Sequence, residues 1–320
     1  MKRLQVAVVG TGVMGQHHAN IYAALPHVDL IATVDPDPER CAQACERYAV
    51  TTHPEVESLL ENTRLDAVSI AAPTSTHYAL TKRLLEAGVH VLVEKPAATN
   101  LAQAKALINL SRERELVLQV GHITRFYEAV ELLKKHTTRP YLIEARRLTP
   151  TARIKDVGVI LDLMIHDIDI VLSLVNSRVA NVNVAGHVLN GSPFEDVAAA
   201  QIVFENGCIA RFLASRVAPD AERTFVVAEA EQTLRLDFAK EPHTEVAVYQ
   251  PLSEGDGSHV QVDVRSVYED NPLRKELEHF LARIRSGASP VGTLEDDLRS
   301  LELATRLIEE LEVTQTPHLV

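Results

Sequence analysis

The chain has 320 residues, of which 46% are hydrophobic and 24% are charged, a composition typical of a globular protein of about two domains. The formal net charge of −12 disfavours nucleic acid and anionic membrane surfaces as general partners. The three cysteines, Cys41, Cys45 and Cys208, lack zinc-site spacing and are typical of a reduced, cytoplasmic protein. No apolar run approaches the ~20 residues of a membrane helix, and the start of the chain lacks the features of a signal peptide.

The first 120 residues alternate short apolar runs with amphipathic segments, which predicts βαβ units with a parallel sheet. The predicted strands are Leu4–Val9, Leu30–Val34, Ala67–Ala71, Val89–Val93 and Leu116–Val120. The predicted helices between them are Gly15–Ala24, Pro38–Tyr48, Thr76–Ala87 and Leu101–Arg114. Right-handed crossovers would place these helices on both faces of a doubly wound sheet.

A glycine-rich turn joins the first predicted strand to the first predicted helix. It has the pattern GxGxxG, in which the glycines allow a tight turn, a close approach to a pyrophosphate and close helix–strand packing. Asp35 ends the second predicted strand 20 residues after Gly15, the spacing expected for an acid that binds a dinucleotide ribose. The alternative is that the glycines serve only a tight turn. The residues of the motif are Gly10, Thr11, Gly12, Val13, Met14 and Gly15.

Asp35 also predicts which dinucleotide is bound. A carboxylate ~4 Å from a 2′-phosphate would be repelled by about 4 kcal/mol at an effective dielectric constant near 20. The next residues, Pro36, Asp37 and Pro38, include no arginine that could offset this repulsion. We therefore predict that NAD is preferred to NADP.

A lysine lies at the end of the fourth predicted strand, in the triplet Glu94-Lys95-Pro96. Ligands bind beyond the carboxyl ends of the strands in open α/β sheets, and Pro96 favours an extended backbone at Lys95. A lysine held there can stabilise a developing alkoxide or share its proton. The alternative is a solvated surface lysine at a strand end.

After about residue 122 the pattern changes to successive strands with turn-length links, which predicts a mostly antiparallel open sheet. The predicted elements are a helix Glu128–Lys135, a basic strand Tyr141–Leu148, a long apolar helix Gly158–Val175, strands Val179–Val188, Val197–Phe204, Cys208–Ser215, Arg223–Ala228, Thr233–Phe238 and Glu245–Gln250, and helices Pro272–Arg285 and Leu294–Glu312. We therefore predict an α/β protein with a Rossmann dinucleotide-binding domain over residues 1–122. An α+β domain for substrate binding and oligomerisation is predicted over residues 123–320.

Three titratable side chains share one face of the long apolar helix. Asp162, His166 and Asp169 are spaced i, i+4 and i+7. A buried stripe of such groups costs free energy unless the groups are paired or used. The ordinary pKa of histidine, about 6.5, suits proton abstraction near neutrality, and a carboxylate one turn away can orient the imidazole. The alternatives are a histidine satisfied within the core and a metal site made of the same side chains.

The motifs, in this order, resemble those of the glucose–fructose oxidoreductase / inositol dehydrogenase / MocA (Gfo/Idh/MocA) family over nearly the whole chain. That resemblance implies NAD(P)-dependent oxidation or reduction of a sugar or cyclitol hydroxyl, with the second sheet forming one wall of the substrate site. It rests on the glycine turn, Asp35, residues 73–77 (PTSTH), Glu94–Pro96, residues 121–126 (GHITRF) and the pair Asp162 and His166.

The resemblance also implies roles for individual residues. It assigns Lys95, Asp162 and His166 to the hydride-transfer site. Thr74, His77 and Glu94 are assigned to the nicotinamide side, and Arg125 is counted with the cofactor-binding residues. Thr124 departs from relatives that often have an acid or asparagine there, so the role of this segment stays open. We expect NAD as cofactor and no metal.

Within the family, residues 121–126 and 156–175 are most similar to the branch that oxidises UDP-N-acetylglucosamine at C3. The 3-keto sugar nucleotide made by that branch is passed to an aminotransferase for lipid A assembly. Residues 145–155 contain four basic residues and no acidic one, which suits a substrate diphosphate. The alternative is a basic strand edge that blunts aggregation. Of Arg146, Arg147, Arg153 and Lys155, we select Arg147 and Arg153 as substrate-binding residues, with Arg216 and Arg223 as further candidates.

The sequence thus predicts an NAD-dependent dehydrogenase in which His166, aided by Asp162, takes a hydroxyl proton while Lys95 holds the oxygen. Which of Lys95 and His166 is the formal base, the exact sugar and the physiological direction stay open. The alternatives are an inositol or unactivated-sugar dehydrogenase of the same family and a non-catalytic NAD-sensing regulator. The resemblance also implies a homodimer or homotetramer formed through the outer face of the second sheet, with a small-molecule nucleotide-sugar substrate.

Overall fold

The computed structural model describes residues 3–150, 156–189, 192–238, 242–251 and 259–315. The chain divides into two compact units. The first comprises Met1–Ile123 and Leu273–Leu298, and the second comprises Thr124–Pro272 and Arg299–Val320. The predicted fold class is confirmed, because one unit contains a parallel sheet and the other a mostly antiparallel one.

The first unit is built on a six-stranded parallel sheet with the order β3-β2-β1-β4-β5-β6. Strands are added to one side of β1 up to β3 and to its other side from β4 onward. Rossmann folds bind dinucleotides at this switch point between β1 and β4, beyond the carboxyl ends of the strands. The strands are β1 (Leu4–Val9), β2 (Val28–Val34), β3 (Thr51–His53), β4 (Ala67–Ile70), β5 (His90–Glu94) and β6 (Leu118–Gly121). The helices between them are α1 (Val13–Ala24), α2 (Pro38–Tyr48), α3 (Val56–Asn62), α4 (His77–Glu86) and α5 (Leu101–Glu113).

Apolar side chains cover both faces of this sheet. Along β1, Val6 and Val8 belong to one core cluster, whereas Ala7 and Val9 belong to the other. This period of two in a continuous apolar run is expected of a strand that is buried on both faces. β3 and α3 were not predicted from the sequence, because elements of three and seven residues are too short to show a hydrophobic period.

The second unit is built on a nine-stranded sheet with the order β14-β13-β12-β11-β7-β10-β9-β8-β15. Neighbouring strands are antiparallel except for two parallel pairs, β7 with β10 and β8 with β15. The strands are β7 (Leu142–Leu148), β8 (Val179–Val188), β9 (Val197–Phe204), β10 (Ile209–Ser215), β11 (Glu222–Ala228), β12 (Thr233–Asp237), β13 (His243–Pro251), β14 (His259–Tyr268) and β15 (Glu312–Gln315). The helices are α6 (Glu128–His136) and a mid-chain helix that is π-helical over Ile160–Met164 and continues as α7 (Ile165–Leu174).

Two further helices, α8 (Pro272–Ser286) and α9 (Leu294–Glu309), precede the last strand. Leu277 and Phe280 of α8 are fully buried in a core cluster of the first unit. The predicted domain over residues 123–320 differs from this division, because Leu273–Leu298 belongs to the first unit. Hydrophobic pattern predicts that α8 is amphipathic but not which sheet its apolar face covers. Within the described ranges, no helix is long and apolar enough to cross a membrane.

Candidate active site

The three glycines of the turn between β1 and α1 are required for different reasons. Gly10 has a φ of +85°, and a Cβ at that position would lie 2.6 Å from the carbonyl oxygen of Ala71. A Cβ on Gly15 would lie 1.7 Å from the carbonyl oxygen of Gly10. Both positions exclude a side chain because the backbone of the protein itself fills the space.

Gly12 instead leaves space for a ligand. A Cβ at this position would meet no described atom closer than Nη1 of Arg40, at 3.9 Å. Gly12 is the N-cap of α1, which has no side-chain cap and no acidic residue in its first turn. The N–H groups and dipole of a helix N-terminus favour an anion. Residues 10–15 therefore have the open space and the uncapped helix N-terminus that the pyrophosphate of a dinucleotide requires.

Asp35 is held by hydrogen bonds at the end of β2. Its Oδ2 accepts hydrogen bonds from the N–H (2.7 Å) and hydroxyl (2.9 Å) of Thr11, and its Oδ1 accepts one from the N–H of Asp37 (3.0 Å). Burial alone would raise the pKa of Asp35, but these hydrogen bonds and the nearby Arg40 hold this pKa below its ordinary value. The structure thus presents an ionised acceptor where a ribose-binding acid is expected.

Arg40 lies beside this acid, beyond the three residues on which the preference for NAD was predicted. Its Nη1 is 3.6 Å from Oδ2 of Asp35, and its Nε is 3.5 Å from a carboxylate oxygen of Asp37. The first turn of α2, which begins at Pro38, brings Arg40 back toward the end of β2. The guanidinium offsets part of the negative charge that would repel a 2′-phosphate.

Lys95 directly follows β5 and is only 9% exposed, which does not support the alternative of a solvated surface lysine. The side chain of the preceding Glu94 pairs with Nε2 of His18 on α1 at 3.1 Å. Burial alone would raise the pKa of Glu94, but the hydrogen bond to His18 and the charges of His18, Lys95 and His77 hold this pKa below its ordinary value. An ionised carboxylate is therefore fixed next to Lys95.

His77 braces the backbone beside Lys95. Its Nδ1 lies 2.7 Å from the carbonyl oxygen of Pro96, and its Nε2 lies 2.9 Å from the carbonyl oxygen of Ala72. Because both ring nitrogens contact the backbone, His77 links the segment after β4 to the segment after β5. The role of His77 on the cofactor side stays a prediction, and its described contacts are with backbone carbonyls. Thr74, at the turn before α4, is buried.

The mid-chain helix carries Asp162 and His166 across a change of helix type. Asp162 lies in the π-helical segment, and His166 lies in the first turn of α7. Single π-helical turns within α-helices are frequent at functional sites. Asp162 is buried and His166 is half-buried. A half-buried imidazole does not favour the alternative of a histidine satisfied within the core.

Glu195 caps the start of this helix. Its Oε1 accepts a hydrogen bond from the N–H of Ile160 at 3.0 Å. A Cβ on Gly158 would lie 1.9 Å from Oε2 of Glu195, so only glycine leaves room for this carboxylate. The helix dipole favours a negative charge at this end, although burial raises the pKa of Glu195.

Two further carboxylates of α7 are bound by arginines. Asp167 accepts hydrogen bonds from Nε (3.0 Å) and Nη2 (2.6 Å) of Arg147. Asp169 accepts hydrogen bonds from Nε (2.8 Å) and Nη2 (2.6 Å) of Arg125, and from the hydroxyl of Ser300 (3.0 Å). Two N–H groups of one guanidinium donate parallel hydrogen bonds to the two oxygens of a carboxylate. This pairing offsets the free-energy cost of removing both charges from water.

These contacts change the interpretation of three arginines. Arg147 and Arg216 were candidates for a substrate diphosphate, but Arg147 is buried against Asp167. Arg216 is buried against Asp196, with Nε 2.6 Å from Oδ1. Arg125 was predicted to bind the cofactor, but its Nε and Nη2 are bound to Asp169. The sequence pattern shows that a helix or strand position is charged. It does not show which distant residue will neutralise that charge.

The rest of the basic segment contributes less than predicted. Arg146 is half exposed and pairs with Glu222 of β11 at 2.7 Å, as expected of a charged residue on the outer face of a sheet. Arg153 and Lys155 lie outside the described residues. The metal alternative finds no support in the part of the chain that is described, where no group of three or more histidine, cysteine, aspartate or glutamate side chains is arranged to hold a metal ion.

Three residues with specific contacts were missed as site residues: His18, Arg40 and Glu195. His18 was predicted to pack in the first unit, and it does, but its contact with Glu94 was not predicted. Its position three residues after Gly15 places it on α1 within reach of the sheet, which is the one local signal available. Arg40 contacts Asp35 because the first turn of α2 folds back toward the end of β2. Glu195 contacts Ile160, 35 residues earlier in the chain, which local sequence patterns do not predict.

Family models match both parts of the chain. Residues 4–122 match the model of the Gfo/Idh/MocA oxidoreductase family with an NAD-binding Rossmann fold. Residues 130–235 match a Gfo/Idh/MocA C-terminal domain.

The chain is also similar to characterised proteins along most of its length. It is 37% identical over 240 residues to a UDP-N-acetylglucosamine 3-dehydrogenase from Acidithiobacillus ferrooxidans, covering 74% of this chain and 75% of that protein. The solved structure of this dehydrogenase superposes with a TM-score of 0.84 and 32% identity, covering 97% and 98% of the two chains. A scyllo-inositol 2-dehydrogenase (NAD(+)) from Bacillus subtilis is 27% identical over 320 residues, covering 94% and 92%.

Substitutions in the glycine turn should separate folding from cofactor binding. We expect Gly15→Ala to lower the free energy of unfolding by about 3 kcal/mol, because the new Cβ would overlap the Gly10 carbonyl. Gly12→Ala should change stability by less than about 1 kcal/mol but weaken NAD binding ~10-fold or more, because the new methyl occupies the space left for the pyrophosphate. Urea denaturation and NAD titration measure the two effects. Equal losses of stability in the two variants would contradict this assignment of Gly12.

Proposed function

The chain belongs to the Gfo/Idh/MocA family of oxidoreductases, and we propose that it oxidises a ring hydroxyl of a sugar nucleotide to a ketone, with NAD as cofactor. UDP-N-acetylglucosamine, oxidised at C3, is the proposed substrate. The observation that carries this choice is the similarity to the Acidithiobacillus dehydrogenase, which extends over 97% of the chain at 32% identity in the structural superposition. The inositol dehydrogenase is less similar, at 27% identity.

The proposed base is His166, supported by its place in the first turn of α7 and by its half-buried imidazole. Histidine is the side chain whose unperturbed pKa lies nearest to neutrality, so an imidazole is suited to accept a hydroxyl proton. Asp162, one turn earlier on the same helix, orients the ring and stabilises its charged form. Asp167 and Asp169 are not assigned to this step, because each is bound by an arginine.

Lys95 is proposed to hold the substrate oxygen and stabilise the negative charge that develops on it. Two contacts keep its backbone in place: the brace from His77 to Pro96 and the pairing of Glu94 with His18. A buried ammonium loses most of its freedom to move before substrate binds, so less of that freedom is lost in the reaction.

The nicotinamide, when bound, supplies the acceptor for the hydride that leaves the sugar carbon. On the protein side, residues 10–15 would hold the pyrophosphate and Asp35 would accept hydrogen bonds from the ribose hydroxyls. The preference for NAD follows from the ionised Asp35, and the adjacent Arg40 makes that preference moderate rather than absolute. The diphosphate of the substrate is assigned to no described arginine.

A substrate panel tests the proposed function. We expect NADH formation with UDP-N-acetylglucosamine and none with free N-acetylglucosamine or with myo- and scyllo-inositol at equal concentrations. Oxidation of an inositol in preference to the sugar nucleotide would establish the inositol dehydrogenase alternative. Binding of NAD without turnover of any member of the panel would favour the NAD-sensing regulator.

Single substitutions test the proposed proton-transfer groups. We expect His166→Ala and Lys95→Met each to lower kcat by about 10²- to 10⁴-fold, with NAD affinity unchanged. His136→Ala and Lys135→Met are matched controls, because both side chains are exposed on or beside α6, and these variants should keep wild-type activity. Near-normal turnover in His166→Ala or Lys95→Met would remove that residue from the mechanism.

The cofactor preference is measured as kcat/KM for NAD and for NADP. The wild-type enzyme should prefer NAD by about 10-fold or more, since the charge of Asp35 opposes a 2′-phosphate. Arg40→Ala should lower kcat/KM for NADP by a larger factor than for NAD, because it removes the only described cation beside that carboxylate. A wild-type preference for NADP would contradict this interpretation of Asp35.

A further inference from the structure

Arg147 contacts the turn of α7 that carries His166, through hydrogen bonds to Asp167. It lies on β7, a strand inside the sheet, in register with Ala214 of β10 on one side and Arg223 of β11 on the other. Hydrogen bonding on both edges of the strand leaves the backbone of Arg147 little freedom. Its side chain is 8% exposed, as is that of Asp167.

The contact between Arg147 and Asp167 joins the sheet to the helix at a functional point. Asp167 directly follows His166 in the chain. The two hydrogen bonds from Arg147 to Asp167, of 2.6 and 3.0 Å, therefore limit the movement of the helix turn that carries the imidazole. A planar guanidinium bound through two nitrogens constrains distance and orientation together, which an ammonium cannot do.

The charge of Arg147 also acts on Asp162. Burial alone would lower the pKa of Arg147, but the charges of Asp167, Tyr127 and Asp162 and the hydrogen bonds to Asp167 together raise it. Asp167 contacts this guanidinium directly through two hydrogen bonds, and the charge of Asp162 also interacts favourably with it. One cation therefore serves the two carboxylates that flank His166 in sequence.

We propose that Arg147 is a positioning residue for proton abstraction: through Asp167 it fixes the turn that carries His166, and its charge balances the two carboxylates beside that imidazole. This inference rests on the proposed role of His166 as the base. It replaces the prediction that Arg147 binds the substrate diphosphate.

The sign of the expected pH effect follows from the charges around His166. Removing Arg147 takes away a positive charge that acts on Asp162 and Asp167, which favours the protonated imidazole, so a higher pH is needed for activity. Removing the charge of Asp167 leaves Arg147 uncompensated and has the opposite effect. The other charged or titratable groups of the second unit that are described near this helix and strand include Tyr127, Glu195, the pair Arg125 and Asp169, and Arg223 in register on β11. Arg216 donates a hydrogen bond to the carbonyl of Val157, just before the helix.

The test is the pH dependence of kcat/KM for UDP-N-acetylglucosamine in Arg147→Met, Arg147→Lys and Asp167→Asn. In Arg147→Met we expect kcat to fall about 10- to 100-fold and the acidic limb of the profile to move to higher pH by about one pH unit. Arg147→Lys should lower kcat but leave the limb in place, because the charge is retained and only the two-nitrogen geometry is lost. Asp167→Asn should move the limb to lower pH.

Arg216→Met is the matched control, because Arg216 is a buried arginine of the same sheet region that pairs with Asp196 instead. It should lose stability without moving the limb. An unmoved limb in folded Arg147→Met, or an equal movement in Arg216→Met, would overturn the inference. If Arg147→Met does not fold, an unmoved limb in Asp167→Asn would overturn it. The His166→Ala variant tests the proposed base separately from the role of Arg147. Full activity in this variant would show that His166 is not the base.

Discussion

The structure depends on the burial of carboxylates along one helix. Asp162, Asp167 and Asp169 are all buried within eight residues of an otherwise apolar segment. Removing a buried charge from its partner costs about 3–5 kcal/mol, so each carboxylate requires compensation. Arg147 and Arg125 provide it for Asp167 and Asp169, and they thereby fix the helix that presents His166. The same contacts that stabilise the fold are the ones that can orient a base.

In the first unit, close backbone packing, and not charge pairing, fixes the positions of the elements around the candidate site. Gly10 and Gly15 bring strand, turn and helix so close that no side chain fits, and this leaves the uncapped start of α1 at the end of β1. Gly12 then provides open space at that helix end. Asp35 and Lys95 follow β2 and β5 at the carboxyl edge of this sheet, where hydrogen bonds from Thr11 and the brace from His77 limit their movement.

Much of this could be predicted from sequence, because the signals are local. The turn over residues 10–15, Asp35 after an apolar strand and the i, i+4 pair of Asp162 and His166 each depend on spacing within one or two elements. The partner of Arg147 could not be predicted, because residues 147 and 167 meet only through the packing of β7 against α7. The parallel pairing of β7 with β10 is nonlocal in the same way. Short elements such as β3 were missed for lack of a period.

Transfer of label from the sugar tests the central claim most directly. UDP-N-acetylglucosamine carrying deuterium at C3 is incubated with the enzyme and NAD, and the reduced dinucleotide and the recovered sugar nucleotide are analysed by mass spectrometry. If the enzyme removes hydride from C3, the dinucleotide gains one deuterium and the keto product has none. Unlabelled NADH, or product that retains the deuterium, would contradict the account.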